Sequence, residues 1–360
     1  MKTILYIGRY NGIIGGIERY MQKSASLLRK NGFAVHFLYM ENGGQNQEEF
    51  QEEFDTVAGF SPENPLILSA DLVVIHNIIP AVFLSALPEN KTFFFAHDHN
   101  IYCERHHYYM PIGRINCHRK YMPLICKICS LCRNTAPPLK AYRKIPSLVL
   151  SDFMKENLEK NGFENVRKLP AFIQAEEVKR KIMSDGVLRI LFLGQLIRGK
   201  GADLMLETLA KLDLPFHCTI AGEGKDRKML EKLLEKFKLQ DKVHFTGFVS
   251  KPEELWKNCD IFFFPIRWQE PFGLVALEAM AHGVGVMAFD LGGVREYLNE
   301  KTGILIPEKD TEEAAEKLKQ LYLQPEKMRE LGKNAFAWVR KNFTESLFVE
   351  KMRELCEEKK

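Results

Sequence analysis

Short apolar runs alternate with longer amphipathic or polar stretches along this chain, and the alternation is played out twice. The first set is KTILYIGRY (residues 2–10), AVHFLYM (34–40), DLVVIHN (71–77), KTFFFAHD (91–98) and SLVLSD (147–152). Each is short, rich in β-branched or aromatic residues and bounded by polar or glycine-containing segments, which predicts buried strands. A helical period over residues 17–29 stops at Asn31-Gly32, a common helix ending. The polar, lysine-rich residues 176–186 read as a linker, after which a second set begins: LRILFLGQL (188–196), FHCTIAGEG (216–224), KVHFTGFV (242–249), CDIFFFPI (259–266), GVGVMAFD (283–290) and TGILIPE (302–308). Helices are expected over 203–212, 226–237 and 252–257, with two more over 312–339 divided near Gln324-Pro325 and a charged amphipathic one over 344–358. Apolar strands separated by crossovers predict α/β architecture, with two doubly wound parallel sheets covered on both faces.

The expected division is therefore residues 1–180, interrupted by an insertion at about 99–144, then 187–341, with the helix of 342–360 free to return to the first domain. A length of 360 residues suits two domains with separate cores. The formal charge of +4 is too small to mark a nucleic-acid binder. The start of the chain does not read as a signal segment, and no apolar run approaches the roughly 20 residues that span a bilayer. The expected location is cytoplasmic, with peripheral membrane attachment left open.

The densest chemistry lies in RWQEPFGLVALEAMAHGVG, directly after the CDIFFFPI strand. Glu270 sits in the loop, a Pro271-Gly273 turn follows, and Glu278 falls about one turn into the next helix. The N–H groups of Gly273, Leu274 and Val275 have no partner within that helix and favour an anion such as phosphate. Beside such a site, carboxylates suit neutral hydroxyls, a ribose diol at Glu278 and sugar hydroxyls at Glu270. The plainer alternative is a solvated loop and a helix start. Earlier in the same half, GQLIRGKG places Lys200 at a strand end, where it can neutralise a diphosphate. Arg198 adds charge, and Gln195 offers only a hydrogen bond. AGEGKDR brings Glu223 to a second strand end, beside close-packing glycines, and Phe248 and Val249 follow a third. In the first half, Gly15 and Gly16 allow a ligand to approach a helix start. His97, at the edge of KTFFFAHD, can donate to a sugar hydroxyl, with Asp98 orienting it or meeting an acceptor. The first loop is not G-x-G-x-x-G, which leaves a dehydrogenase reading weakly supported.

The run E-P-F-G-L-x-x-x-E, Glu270 to Glu278, resembles the signature of retaining glycosyltransferases of the GT-B fold, family 4 (glycosyl transferases group 1). AMAHGVGVMA, GGVREYL and TGILIPE are similar to that family's continuation, and the resemblance is strongest over residues 188–307. It implies two doubly wound domains facing a central cleft and transfer of a sugar, with retention, from a nucleotide-sugar donor to a glycan or lipid-linked acceptor. By the same resemblance His97, Lys200 and Glu270 are catalytic, Glu278 holds the ribose, and Phe272, Gly273 and Leu274 form the turn that sugar and phosphate approach. The base would rest near Phe248, and Gly15-Gly16 is similar to the family's first glycine loop. No catalytic metal and no nucleic acid are implied. Where the family pattern has arginine, this chain has Gln195, which leaves a noncatalytic nucleotide-sugar or carbohydrate-binding protein as the alternative.

The insertion is unusual in composition. Five of the eight cysteines, Cys103, Cys117, Cys126, Cys129 and Cys132, fall within 30 residues. The C-x2-C-x2-C run with Cys103 or Cys117 as a fourth ligand is compatible with structural zinc, with an iron–sulfur cluster, or with thiols that bind no metal. From Tyr102 to Lys144 nine lysines and arginines face one acid, Glu104, with Tyr108, Tyr109, Met110, Tyr121, Met122 and Leu124 interspersed. This composition suits an anionic membrane surface or phosphorylated acceptor, or else a solvated lid packed by its tyrosines.

Overall fold

The computed structural model describes residues 1–105, 108–110, 115–130, 137–179, 182–249 and 252–358. The chain divides into two compact units, Met1–Phe172 with Glu345–Lys360, and Ile173–Thr344.

The first unit is built on a seven-stranded sheet in the order β3-β2-β1-β4-β5-β8-β9. Its strands are β1 (Lys2–Tyr10), β2 (Phe33–Glu41), β3 (Thr56–Gly59), β4 (Leu72–Ile75), β5 (Thr92–Phe95), β8 (Ser147–Val149) and β9 (Val166–Lys168). All six pairings are parallel. β4 and β5 are buried along their whole length, which is why they read as uninterrupted apolar runs instead of alternating ones. Strand order reverses between β1 and β4, and the loops at their C-terminal ends flank that switch point, the usual ligand crevice of an open α/β sheet.

The helix Gly16–Lys30 starts at the switch point, with the Gly15 N–H donating to Glu18 Oε2 at 2.9 Å. Its apolar stripe, Tyr20, Met21, Ala25 and Leu28, is buried. The helix Glu345–Glu357 belongs to this unit. Its Phe348 ring lies 4.4 Å from that of Phe172, and Glu358 ion-pairs with Arg167. Between β5 and β8, a short antiparallel pair, β6 (Tyr109–Met110) and β7 (Ile115–Asn116), precedes the helix Pro123–Cys129. Glu104, the only acid of this stretch, is buried and accepts from Tyr121 Oη at 2.9 Å and Ser130 Oγ at 2.7 Å. It acts as an internal tie.

The second unit carries a six-stranded sheet in the order β12-β11-β10-β13-β14-β15. Its strands are β10 (Leu188–Leu193), β11 (Phe216–Ala221), β12 (Val243–Gly247), β13 (Ile261–Phe264), β14 (Gly285–Phe289) and β15 (Gly303–Ile306), again all parallel. The switch point falls between β10 and β13. Helices Thr311–Leu323 and Pro325–Asn342 divide where Pro325 ends one period and starts the next.

The stretch expected to be a linker is fastened to this unit. Glu176 N donates to Ala281 O at 3.0 Å, Met183 N donates to Asp260 Oδ1 at 3.1 Å, and Ile182 is buried. The polar composition that suggested a linker belongs to the outward side chains, while the main chain is held.

Candidate functional site

The loops after β10 and β13 meet at the switch point of the second sheet. Lys200 closes a 3-10 turn, Arg198–Lys200, and its Nζ donates to Glu270 Oε2 at 2.7 Å. The two side chains are 22% and 14% exposed, so the pair is shielded enough to exceed the small contribution of a surface ion pair. Gly201 then turns with φ +76°, and a Cβ there would stand 1.6 Å from Pro265 O. Arg267 N donates to Gly199 O at 2.9 Å, while the Arg267 guanidinium is ion-paired with buried Asp203. The two loops are thus joined by main-chain contact and by a buried charge pair.

Glu270 is held from behind. Gly293 N donates to Glu270 O at 2.7 Å, and a Cβ on Gly292 would lie 2.1 Å from that same oxygen. Gly273 adopts φ +88° as the residue before the helix Leu274–Ala281. The Tyr297 hydroxyl lies 2.9 and 3.1 Å from the carbonyls of Phe272 and Gly273. Burial, then the Glu270 carboxylate, pushes that phenol well up, so it remains a neutral donor. The result is a fixed turn that leaves the first helix N–H groups, those of Leu274 and Val275 among them, without partners in the helix. Phe272 is buried, so its ring is packing and its backbone alone faces the site. Glu278 lies about one turn along, partly buried.

The neighbouring strand ends complete the rim. Leu196 N donates to Glu223 O at 2.9 Å, and Gly222 N donates to Gly247 O at 2.7 Å. Glu223 is exposed and lies 3.5 Å from Arg227, whose guanidinium covers the Phe245 ring at 4.3 Å. Phe248 is 55% exposed, unlike the core phenylalanines of this sheet. Val249 is partly buried, and Gln195 and Arg198 are exposed. The residues expected on this half lie on loops, or in the helix Leu274–Ala281, at one edge of one sheet.

In the first unit, Gly15, Gly16, His97 and Asp98 come to the corresponding edge. Sequence reading missed three residues there. His76, directly after β4, has its Nδ1 2.9 Å from His97 Nε2, Glu18 is buried beneath the helix start, and Tyr20 meets the His97 ring edge-on with centroids 5.2 Å apart. The orienting role expected of Asp98 is corrected. Its carboxylate accepts from the Asn100 N–H at 2.9 Å and Asn100 Nδ2 at 2.7 Å, and the partner of His97 is His76. Burial holds His97 down at about 3 and pushes Asp98 up to about 6, with nearby Glu18 adding to the latter. A second histidine after an apolar strand carried no distinguishing signal, whereas Gly-Gly-Ile-Glu at a helix start is a capping pattern that could have revealed Glu18.

In the insertion, Cys117 N donates to Tyr108 O at 2.8 Å, and Cys126 Sγ accepts from Met122 N at 3.4 Å. Burial pushes the Cys126 and Cys129 thiols up. Among the described residues no three histidines, cysteines or acids are gathered to hold a metal ion, and Cys132 lies outside the described residues.

Residues 174–338 match the family model described as Glycosyl transferases group 1. The matched residues lie within the second unit. Among relatives, it is 32% identical over 191 residues to the uncharacterized glycosyltransferase YqgM of Bacillus subtilis, covering 51% of this chain and 53% of that one. It is 29% identical over 166 residues to the N-acetylgalactosamine-N,N'-diacetylbacillosaminyl-diphospho-undecaprenol 4-alpha-N-acetylgalactosaminyltransferase of Campylobacter jejuni, covering 45% of each. The chain spans about half or less of the length of the curated relatives it matches. Its fold is similar to that of Anabaena HepE in complex with UDP and glucose, with a TM-score of 0.76 at 15% identity over 98% of this chain and 99% of that one. The two-sheet architecture is the GT-B fold.

Proposed function

We propose that this protein is a retaining glycosyltransferase that moves a sugar from a nucleotide-sugar donor to a hydroxyl of a glycan or lipid-linked acceptor. The observation that carries the reading is the Lys200–Glu270 pair at the switch point, beside unpaired helix N–H groups. A diphosphate suits Lys200, Arg198 and the amides of Gly273, Leu274 and Val275, which would stabilise the charge that develops as it leaves. Glu270 then accepts from sugar hydroxyls, Glu278 from the ribose, and exposed Phe248 with Val249 and Glu223 flanks the base. Neither carboxylate is assigned as nucleophile; their work is to hold the donor in place. UDP in HepE and the lipid-linked substrate in the Campylobacter relative's name support this donor and acceptor class.

The test is a nucleotide-sugar panel scored by thermal stabilisation and by release of nucleoside diphosphate, with glycan and lipid extracts as acceptors. Lys200→Ala and Glu270→Gln should each lower turnover about 10²–10³-fold, the usual loss when a transition-state contact is removed. Donor binding and turnover that survive both variants sink the reading, and binding without turnover favours a noncatalytic carbohydrate-binding protein.

Two further parts of the proposal concern the insertion. A peripheral position on the cytoplasmic face of an anionic membrane is supported by the helix Pro123–Cys129, where Leu124, Ile125 and Ile128 are 74%, 43% and 61% exposed beside Arg119, Lys120 and Lys127. Among the described residues no helix is long and apolar enough to cross a membrane. Flotation with phosphatidylglycerol vesicles but not with phosphatidylcholine vesicles is expected, and equal behaviour on both ends this part. A structural zinc on Cys126, Cys129 and Cys132 with Cys103 or Cys117 is the second part, supported by the C-x2-C-x2-C spacing. Elemental analysis of protein purified without chelator decides it.

A further inference from the structure

Two imidazoles touch at the sheet edge of the first unit, and their surroundings decide which one holds the shared proton. We propose that His76 is a positioning residue that fixes His97 with its proton on Nδ1, so that His97 meets a sugar hydroxyl as a hydrogen-bond donor. The sugar-binding role of His97 rests on the function proposed above; its tautomer does not.

Burial holds both rings well below the usual histidine range, so both are neutral. Across the 2.9 Å contact between His76 Nδ1 and His97 Nε2, one nitrogen donates and the other accepts. If His97 donates, His76 must carry its remaining proton on Nε2. That atom is buried with no hydrogen-bond partner, and so is the hydroxyl of Tyr20. Both face a pocket also lined by Tyr6, Phe95, Leu148 and Phe348, too tight for a water molecule. The pocket would then contain two orphan donors, the N–H of His76 and the O–H of Tyr20. Unpaired buried donors are the rarer and costlier defect.

If His76 donates through Nδ1, its Nε2 is a bare lone pair. The pocket then holds one unpaired donor instead of two. His97 accepts at Nε2, which places its own proton on Nδ1, the nitrogen left for a ligand. The ring plane is clamped as well as the tautomer. Phe95 stacks on His97 with centroids 4.1 Å apart and planes 7° apart, and Tyr20 makes an edge contact with the same ring at 5.2 Å. The neighbouring β4 and β5 supply the two histidines from adjacent strand ends, so neither ring needs a flexible loop to reach its place.

Nitrogen-15 NMR of histidine-labelled protein at neutral pH reads the tautomer directly, with no substrate present. His97 is expected to show a protonated Nδ1 and a bare Nε2. His76→Asn keeps an N–H donor where Nδ1 stood and should preserve both the tautomer and, within about threefold, the kcat of sugar transfer. His76→Leu should let His97 exchange between tautomers and lower kcat about 10–100-fold, with donor KM changed much less. Thermal melts establish that each variant is folded. A protonated Nε2 on wild-type His97, or a folded His76→Asn variant as impaired as His76→Leu, overturns the proposal. A protein that turns over no nucleotide sugar yet shows the Nδ1–H form of His97 would refute the proposed function and leave the tautomer standing.

Discussion

The Arg267–Asp203 pair should behave as a buried strut whose halves are costly to remove singly and cheap to remove together. Both side chains are under a tenth exposed, at 8% and 9%, so neither charge can turn to water when its partner is gone. Arg267→Met leaves a buried carboxylate and Asp203→Leu a buried guanidinium, each expected to cost about 3–5 kcal/mol. For a unit of this size that is a fall of roughly 6–20 °C in the midpoint of its transition. In the double variant the desolvation penalty disappears with the charges. It should melt near the wild type or above it, giving a coupling energy close in size to the two single-variant losses added together. The Arg267 N to Gly199 O bond is main-chain and survives all three substitutions, so donor binding should follow the melting order and no other. Calorimetry, with the unfolding transitions resolved, is the assay. Single variants that each cost under about 1 kcal/mol, or a double variant that loses the sum, would refute the reasoning.

Gly201→Ala should prevent the Lys200 turn from closing, since a side chain would meet Pro265 O at 1.6 Å in a backbone region alanine rarely adopts; a soluble variant with unchanged melting and nucleotide binding contradicts this. Tyr297→Phe removes the hydroxyl that holds the carbonyls of Phe272 and Gly273, and should cost about 1 kcal/mol in urea unfolding while weakening donor binding more than global stability. Acid sensitivity follows from two opposed groups. His97 sits at about 3 against 6.5, so its share of stability is whole above 6.5 and is lost as pH falls toward 3. Asp98 sits at about 6 against 3.8, so folding takes up its proton more readily and stability is gained as pH falls from 6 to 3.8. Urea midpoints should therefore fall more steeply between pH 6 and 4 in Asp98→Asn and less steeply in His97→Asn; parallel curves would refute the assignment.

The strands were legible because parallel strands covered on both faces carry uninterrupted apolar runs, as ILFL (190–193) and IFFF (261–264) do. Lys200 and Glu270 were legible through the motifs that carry them, GQLIRGKG and E-P-F-G-L-x-x-x-E. Their mutual bond was not, since 70 residues separate them and only the strand order of the second sheet brings them together. His76 was invisible for a different reason. A histidine ending a buried strand looks the same whether it fills space or holds another ring, and the difference lies in β4 adjoining β5. Residues 176–186 misled because a polar sequence reports on side chains, while their attachment runs through backbone atoms. The division into two units follows contacts of the kind made by Glu345–Glu357, whose amphipathic pattern required a partner without naming it.

The backbone-on-backbone contacts of the donor loops, Gly292 against Glu270, Gly201 against Pro265 and Gly222 against Gly194, have a consequence for change over time and by design. A frame joined through main-chain atoms does not depend on the side chains that project from it. Gln195, Arg198 and Phe248 point outward from that frame, so they can be exchanged one at a time while the chassis keeps its dimensions. On the function proposed above, a new sugar or base preference can then be selected at these positions without the fold first being rebuilt around it.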